Sequence, residues 1–222
     1  MKSNFHLGTD GVYRCEAFDE QFSWQSHGFG TRAGNPATQV TLRQVHSAIV
    51  TNAQNLKDRE REGDALVTNE VNRSIGVRTA DCVPILLLDS GHRAVAAVHA
   101  GWRGSAAGIV ARAVQALGEN FGARAGDIRA AIGPCIRSCC YEVGNDVAQQ
   151  FQSLFPEWRP MEGKRRLDLP EANQRQLIAS GVLADHIYDC GRCTACEPDV
   201  FFSYRREPEI TDRMIASICR LS

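Results

Sequence analysis

The sequence predicts a mixed α/β or α+β domain, and three patterns support that prediction. Continuous apolar runs at residues 83–88 and 94–98 are typical of strands that are buried on both faces. Between residues 105 and 121, apolar side chains recur at helical spacing, which is typical of a helix packed on a core. Strands dominate the middle of the chain and helices are interspersed among them, so a mixed fold class follows.

Shorter patterns predict the other elements. Strands are predicted at residues 40–50, 65–68, 75–78, 128–132 and 200–204, and helices at residues 145–154 and 170–180. Ser105 is a candidate N-cap for the long helix, and Gly122 lies just past its end. Asn145 is a candidate cap, and Pro170 occupies a first-turn position. Residues 214–221 fit a strand or a helix.

Size and composition favour one ordinary globular domain spanning residues 1–222. The chain is 43% hydrophobic and 23% charged, and its net charge of −1 gives no electrostatic reason to expect nucleic acid or a membrane surface as partner. Residues 1–22 show no secretory signal, and no apolar run approaches the roughly 20 residues that span a bilayer. We therefore expect a cytoplasmic protein. Its nine cysteines, an odd number, are expected to be reduced.

Three segments place a metal-capable side chain beside a strand-like run, and the side chains are His46, Cys82 and His99. Structural zinc sites normally have four protein ligands, whereas catalytic sites use three and leave a position for water or substrate. Imidazole and thiolate suit zinc or copper better than magnesium. If the three residues converge, we expect a catalytic metal with an open position. A metal-free alternative has Cys82 as nucleophile, either histidine as base and Asp81 as orienter.

A glycine-bracketed turn after His99 leads into the long predicted helix and is the expected anion site. Free N–H groups at a helix start favour phosphate, and Arg103 offers a bidentate contact. Stacking of Trp102 on Arg103 at the surface is an equally good interpretation of that pair. The candidate substrate-binding and phosphate-binding residues are Arg43, Asp81, Trp102, Arg103, Gly104, Cys135 and Arg205.

The remaining cysteines form a second group with a weaker pattern. Residues 190–196 read C-x2-C-x2-C, but the fourth cysteine of a ferredoxin run is replaced by Val200. An iron–sulfur cluster is therefore not expected. Cys135, Cys139 and Cys140, which follow a glycine and a proline at a predicted strand end, are interpreted as packing or secondary pocket residues.

Four motifs resemble the YfiH-like family of laccase-domain proteins. They are TADCVP at 79–84, VHAGWRG at 98–104, IGPCI at 132–136 with CYEVG at 140–144, and FFSYRR at 201–206. The resemblance runs from about Ser26 to the C-terminus. The chain departs from the family pattern at Ser47 and Asp212, where glycine is usual, and in a short stretch over residues 32–44.

The resemblance implies a single domain of layered sheets with outer helices and a zinc ion held by His46, Cys82 and His99. It implies phosphorolysis of adenosine, inosine, guanosine and methylthioadenosine, with adenosine deamination beside it. Two alternatives come with the family: copper-dependent polyphenol oxidation, and a Cys-His hydrolase acting on an amide or a peptidoglycan precursor. With only six histidines in the chain, the copper enzyme ranks low.

Overall fold

The computed structural model describes residues 5–91, 93–159 and 163–222. The strands are β1 (Phe5–Leu7), β2 (Tyr13–Cys15), β3 (Gln25–Phe29), β4 (Val50–Asn52), β5 (Ala65–Thr68), β6 (Arg73–Thr79), β7 (Val83–Asp89), β8 (Ala94–Ala100), β9 (Ile128–Ile132), β10 (Glu142–Val143), β11 (Arg165–Arg166), β12 (Ile187–Asp189) and β13 (Met214–Arg220). The α-helices are α1 (Glu16–Gln21), α2 (Trp102–Ala106), α3 (Ile109–Phe121), α4 (Asn145–Gln149) and α5 (Leu169–Ala179). Within the described residues, no helix is long and apolar enough to cross a membrane.

Two larger sheets and one two-stranded sheet organise these elements. One sheet has the order β1-β2-β3-β13-β6, the other has the order β12-β9-β7-β8-β5-β4, and β10 pairs with β11. The central strands of the six-stranded sheet run antiparallel, and parallel pairs occur only at its two edges, β12 with β9 and β4 with β5. The six-stranded sheet is therefore mixed, whereas the strand pairs of the five-stranded sheet and of β10 with β11 are antiparallel.

The six-stranded sheet is buried on both faces because it forms the middle layer. Its side chains alternate between the faces. Val83, Ile85 and Leu87 of β7 pack with α3 and α5 in one core cluster. Leu86 and Leu88 pack against the five-stranded sheet in a second cluster. This explains the continuous apolar runs, and it confirms the prediction of a layered α/β domain.

The predicted helix over residues 105–121 is two helices, and its predicted cap was wrong. Gly108 adopts a left-handed conformation, with φ at 76°, that separates α2 from α3 and forms the N-cap of α3. Ser105 instead lies buried inside α2. Gly122 ends α3 in the predicted left-handed conformation. In the same way Asn145 is the first residue of α4, whose N-cap is Gly144.

Most of the two strands predicted at residues 40–50 and 200–204 is loop, because side chains take their backbone partners. Within the first segment, Val40 and Arg43 form isolated bridges and Val50 begins β4. The Asp64 carboxylate accepts the N–H groups of residues 45–47, so that segment joins no sheet. The guanidinium of Arg206 donates to the carbonyl of Phe201, and the Asp81 carboxylate accepts the N–H of Arg205. Residues 214–221, which the sequence left open, contain the long strand β13.

His27 makes the stability of the five-stranded sheet depend on pH. The N–H of Cys15 donates to His27 Nε2 over 2.8 Å, so Nδ1 carries the proton and donates to Gln25 Oε1. Burial, with a smaller contribution from the charge on Arg14, lowers the pKa of His27 to about 3. A neutral buried histidine of this kind opposes protonation in the folded state, whereas the unfolded chain takes up the proton near pH 6.5.

We therefore expect the free energy of unfolding to fall as pH drops from 7 to 4, by about 3 kcal/mol from His27 alone. The stability that neutral His27 contributes is fully present above pH 6.5, the pKa in the unfolded chain, and it is lost as the pH falls toward the folded-state pKa of about 3. Urea unfolding of wild type and His27→Gln across this range measures it. The variant should be less stable at pH 7 and less sensitive to acid, and parallel curves for the two proteins would refute the assignment.

Candidate metal centre and active site

The pairing of three antiparallel strands, β5, β8 and β7, brings Asp64, Cys82 and His99 together where these strands end. Ala65, the first residue of β5, pairs with Val98, so Asp64 lies opposite His99 at the end of β8. Val83, the first residue of β7, pairs with Ala100, so Cys82 lies beside the same strand end. Residues that are distant in the sequence are therefore placed together by strand register.

The fourth residue, His46, reaches the same strand ends on a loop that hydrogen bonds to Asp64 hold in place. Asp64 Oδ1 accepts the N–H of His46 over 3.0 Å, and Oδ2 accepts both the N–H and the hydroxyl of Ser47 over 2.6 and 2.7 Å. His46 adopts a left-handed backbone, with φ at 59°. Such a conformation is costly for a residue other than glycine and persists where surrounding contacts impose it. The buried carboxylate supplies those contacts.

His46, Cys82 and His99 converge as the sequence predicted. One potential ligand atom from each lies within 4.8 Å of the other two, and the two imidazole rings are 5.0 Å apart at their centroids. Nδ1 of His99 donates to Asp64 Oδ1 over 2.8 Å, which leaves its Nε2 for the thiol side. A carboxylate behind a ligating histidine is the usual way that proteins orient such a ring. The donor set fits one zinc or copper ion with a position left open.

Asp64, Cys82 and His99 each stabilise the charged form of a neighbouring side chain. The pKa of Cys82 is lowered: burial raises it, but the charge on His99 and hydrogen bonds with both histidines outweigh burial. The pKa of His99 is raised, because the Cys82 thiolate and the Asp64 carboxylate outweigh its burial. Burial also raises the pKa of Asp64, but hydrogen bonds from His99 and Ser47 bring it down to about 2. The site thus favours a thiolate, which is the form that binds metals.

The three ligands open into a cavity of about 640 Å³ with a cationic wall. Among the described residues that line it are five arginines and a single carboxylate, that of Asp81; the arginines are Arg59, Arg78, Arg103, Arg205 and Arg213. Aromatic rings of Trp102, Tyr141 and Tyr204 also face it. A cleft lined by one sign of charge concentrates ligands of the opposite sign. The cavity suits an anionic reactant together with a flat, apolar one.

The structure gathers some of the predicted substrate-binding residues and separates others. Asp81, Trp102, Arg103 and Arg205 line the cavity. Arg43 is exposed, and neither it nor the buried Gly104 and Cys135 lines the cavity. The Arg103 guanidinium lies 4.4 Å above the Trp102 ring, so the stacked pair considered from the sequence exists. Both Trp102 and Arg103 also line the cavity.

Two aspects of the predicted chemistry change. Helix α2, which begins at Trp102, has only five residues, so a helix dipole contributes little and the arginines supply the positive charge. Asp81 does not orient a histidine, because its carboxylate binds the hydroxyl of Thr194 and the N–H of Arg205. Asp64 performs that role, and sequence reasoning missed it. The only sequence signal is its position immediately before β5.

Residues 25–221 match the family model described as multi-copper polyphenol oxidoreductase laccase. The chain belongs to this laccase family. The match includes His46, Cys82 and His99 and every described residue that lines the cavity. The resemblance noted from four motifs is thereby confirmed over most of the chain.

Relatives within the laccase family carry names that differ from the family description. The purine nucleoside phosphorylase YlmD of Geobacillus stearothermophilus is 40% identical over 163 residues, which are 71% of this chain and 60% of YlmD. Adenosine deaminase RL5, from an unknown prokaryotic organism, is 41% identical over 182 residues, 75% of this chain and 69% of RL5. The crystal structure of YlmD from G. stearothermophilus superposes with a TM-score of 0.87 at 30% identity, covering 99% of this chain and 100% of that one.

Gly101 is predicted to matter for zinc binding because a side chain at this position would press on two of the three candidate ligands. An added Cβ would lie 3.0 Å from both Cys82 Sγ and His46 Cδ2. We expect Gly101→Ala to weaken zinc binding at this centre at least about tenfold, since the ligands must move apart. Competition with a chromophoric chelator measures the affinity. Gly126→Ala, where the added Cβ meets nothing within 4 Å, is the control. Equal zinc affinities for the two variants would contradict the prediction.

Proposed function

We propose that the protein is a zinc-dependent purine nucleoside phosphorylase that acts on adenosine, inosine, guanosine and methylthioadenosine and also deaminates adenosine. The observation that carries the proposal is the convergence of His46, Cys82 and His99 at the floor of an arginine-lined cavity. The names of the relatives, purine nucleoside phosphorylase and adenosine deaminase, support the same chemistry.

Phosphorolysis requires a site for phosphate next to a site for the nucleoside, and the cavity offers groups for both. In this reaction an oxygen of phosphate forms a bond to C1′ of ribose while the bond from C1′ to the base breaks and the base takes up a proton. The arginine wall would hold the phosphate, and Arg103 is fixed over the Trp102 ring beside the metal centre. Guanidinium groups bind phosphate oxygens through paired, charge-assisted hydrogen bonds.

The aromatic side chains at the cavity mouth suit the purine. Stacking of a base on an aromatic ring contributes about 1–3 kcal/mol. Tyr141 is held under the Arg205 guanidinium, 5.1 Å from its ring centroid, while Tyr204 is exposed. Zinc, when bound, would supply Lewis acidity toward a substrate oxygen or water. The thiolate and two imidazoles would retain it, and Asp64 would keep His99 in its ligating orientation.

The test is release of free base from adenosine by purified protein with and without inorganic phosphate. We expect adenine and ribose 1-phosphate only when phosphate is present, and a slower release of inosine that does not need it. The His99→Ala variant is the control for contaminating enzymes. Base and inosine both at the level of that control would reject the proposal.

A metal-independent Cys-His hydrolase is the second candidate, and one observation favours it. Cys82, His99 and Asp64 form a chain of nucleophile, base and orienting carboxylate, with the carboxylate 2.8 Å from the imidazole. Alkylation distinguishes the two candidates. If zinc occupies the site, saturating zinc protects Cys82 from iodoacetamide and a chelator exposes it. Alkylation at one rate under both conditions would favour the hydrolase.

Copper-dependent polyphenol oxidation, which the family description names, has less support from this chain. A multicopper oxidase needs a blue copper site and a three-copper cluster, and it uses many histidines for them. In the part of the chain that the structure describes, only one group of potential ligands contains histidine, and it has two of them. A strong visible absorption band on copper loading, with oxygen uptake in the presence of a phenol, would reverse this ranking.

A further inference from the structure

Four thiols outside the cavity meet at one point of the structure. Cys139, Cys140, Cys193 and Cys196 place their sulfur atoms within 4.8 Å of one another. The sulfur of Cys196 lies 3.5 Å from that of Cys139 and 3.3 Å from that of Cys140. None of the four lines the cavity. The sequence interpretation of Cys139 and Cys140 as packing or secondary pocket residues did not foresee this grouping.

The fold brings the thiols together from two neighbouring loops. One pair follows β9 and the other follows β12, and these two strands are parallel neighbours. A further bridge between Cys135 and Cys193 continues the pairing into the loops. Cys190, the first cysteine of the C-x2-C-x2-C pattern, is buried and is not a member of the group. The pattern from the sequence thus contributes two thiols, and the adjacent pair at 139–140 completes the set.

We propose that Cys139, Cys140, Cys193 and Cys196 bind a second zinc ion in a closed structural site, separate from the centre at His46, Cys82 and His99. Four sulfurs at about 2.3 Å from one zinc lie about 3.8 Å apart in a tetrahedron, which is the spacing that these thiols approach. An iron–sulfur cluster would insert several metal ions between them and hold them farther apart. Binding releases the thiol protons and leaves no position for a substrate.

An arginine side chain is bonded to the loop that carries Cys193 and Cys196. The guanidinium of Arg206 donates to the carbonyls of Thr194 and Ala195 over 2.8 and 3.2 Å. Its charge would offset part of the excess of four thiolates over one divalent ion.

The proposed site would brace one wall of the cavity. Thr194, between two of the ligands, donates its hydroxyl to Asp81 Oδ1 over 2.6 Å, and Asp81 precedes the ligand Cys82. Tyr141, which lines the cavity, directly follows Cys140. A zinc ion that ties these loops together would therefore hold the cavity wall in place. The inference does not depend on the proposed reaction, because it concerns metal content alone.

Zinc analysis of the whole protein tests the proposal. Protein purified under reducing conditions, loaded with zinc and freed of excess by gel filtration, should carry about two zinc ions per chain. The variants His46→Ala/Cys82→Ala and Cys193→Ser/Cys196→Ser should each carry about one. Cys190→Ser, in the same loop as two of the ligands, should keep both. One ion in wild type together with none in the His46→Ala/Cys82→Ala variant would overturn the proposal.

Cobalt substitution gives a second readout that needs no substitution among the four thiols of the proposed site. The near-ultraviolet charge-transfer band of cobalt grows with the number of bound thiolates, of which the two sites together would have five. His46→Ala/Cys82→Ala should keep about four-fifths of the wild-type intensity. A band lost completely in this variant would contradict the proposal. So would an intact mass showing that the four thiols of wild type, without reductant, form disulfides and bind no metal.

Discussion

Cys82→Ala is expected to abolish zinc binding at the cavity and to lower the phosphorolysis rate, kcat/KM, by about 10³-fold. The thiolate is the only anionic ligand among the three, and its loss leaves two imidazoles to hold a divalent cation. The charge stabilisation that a bound metal gives to a reaction is worth several kcal/mol, and each 1.36 kcal/mol is tenfold in rate. Base release from adenosine with phosphate, together with zinc analysis, measures both effects.

A cysteine outside both thiol groups provides the control. Cys219, on β13, lies apart from the cavity lining, so Cys219→Ala should keep full activity and the full zinc content. Phosphorolysis by Cys82→Ala at a rate near that of wild type would separate the reaction from the metal centre. Loss of activity with zinc content unchanged would instead favour the role of Cys82 as a nucleophile.

Asp64→Asn is expected to weaken zinc binding at the same centre by about 10–100-fold and to lower stability by about 2–3 kcal/mol. Asp64 is fully buried, and its two oxygens accept from His99 Nδ1 and from the backbone of residues 45–47. An amide turns an N–H group toward at least one of those donors. The His46 loop then loses the contacts that hold its left-handed backbone, and His99 loses its fixed orientation. Zinc titration and urea unfolding measure the two effects.

Asp58→Asn is the matched control for this prediction. Asp58 Oδ1 accepts the N–H and the hydroxyl of Thr41 over 2.8 and 2.7 Å, much as Asp64 accepts those of Ser47, but it contacts none of the ligands. We expect Asp58→Asn to lower stability without changing zinc affinity. If Asp64→Asn also changed stability alone, the carboxylate would have a structural role and no part in positioning the ligands.

Much of the fold could be predicted because its central strands and longest helices carry strong local patterns. Strands β5 to β9 lie where apolar segments predict them, and the break at Gly108 is a detail of one glycine's backbone conformation. The strand predicted over residues 40–50 failed for a reason outside the segment itself. Apolar and polar residues do alternate there, but the carboxylate of Asp64, 17 to 19 residues farther along the chain, accepts the N–H groups of residues 45–47 that a sheet would need.

The convergence of the candidate ligands His46, Cys82 and His99 could be predicted because histidine and cysteine beside strand ends are chemically distinctive, whereas their supporting groups could not be predicted. An aspartate before a strand, such as Asp64, is common, and only the register between β5 and β8 shows that it faces His99. The grouping of four thiols from two loops likewise depends on the parallel pairing of β9 with β12. The residue types indicate which side chains could bind a metal, and the strand pairing decides which of them lie together.

Anomalous diffraction at the zinc absorption edge, from crystals of zinc-loaded protein, is the decisive test of whether His46, Cys82 and His99 hold a zinc ion with an open position. We expect a peak bonded to one nitrogen each of His46 and His99 and to the sulfur of Cys82, with its remaining position facing the arginine-lined cavity. A crystal in which these three side chains share no peak would contradict it. A peak there that is closed by a fourth protein side chain would also contradict the claim of a catalytic metal.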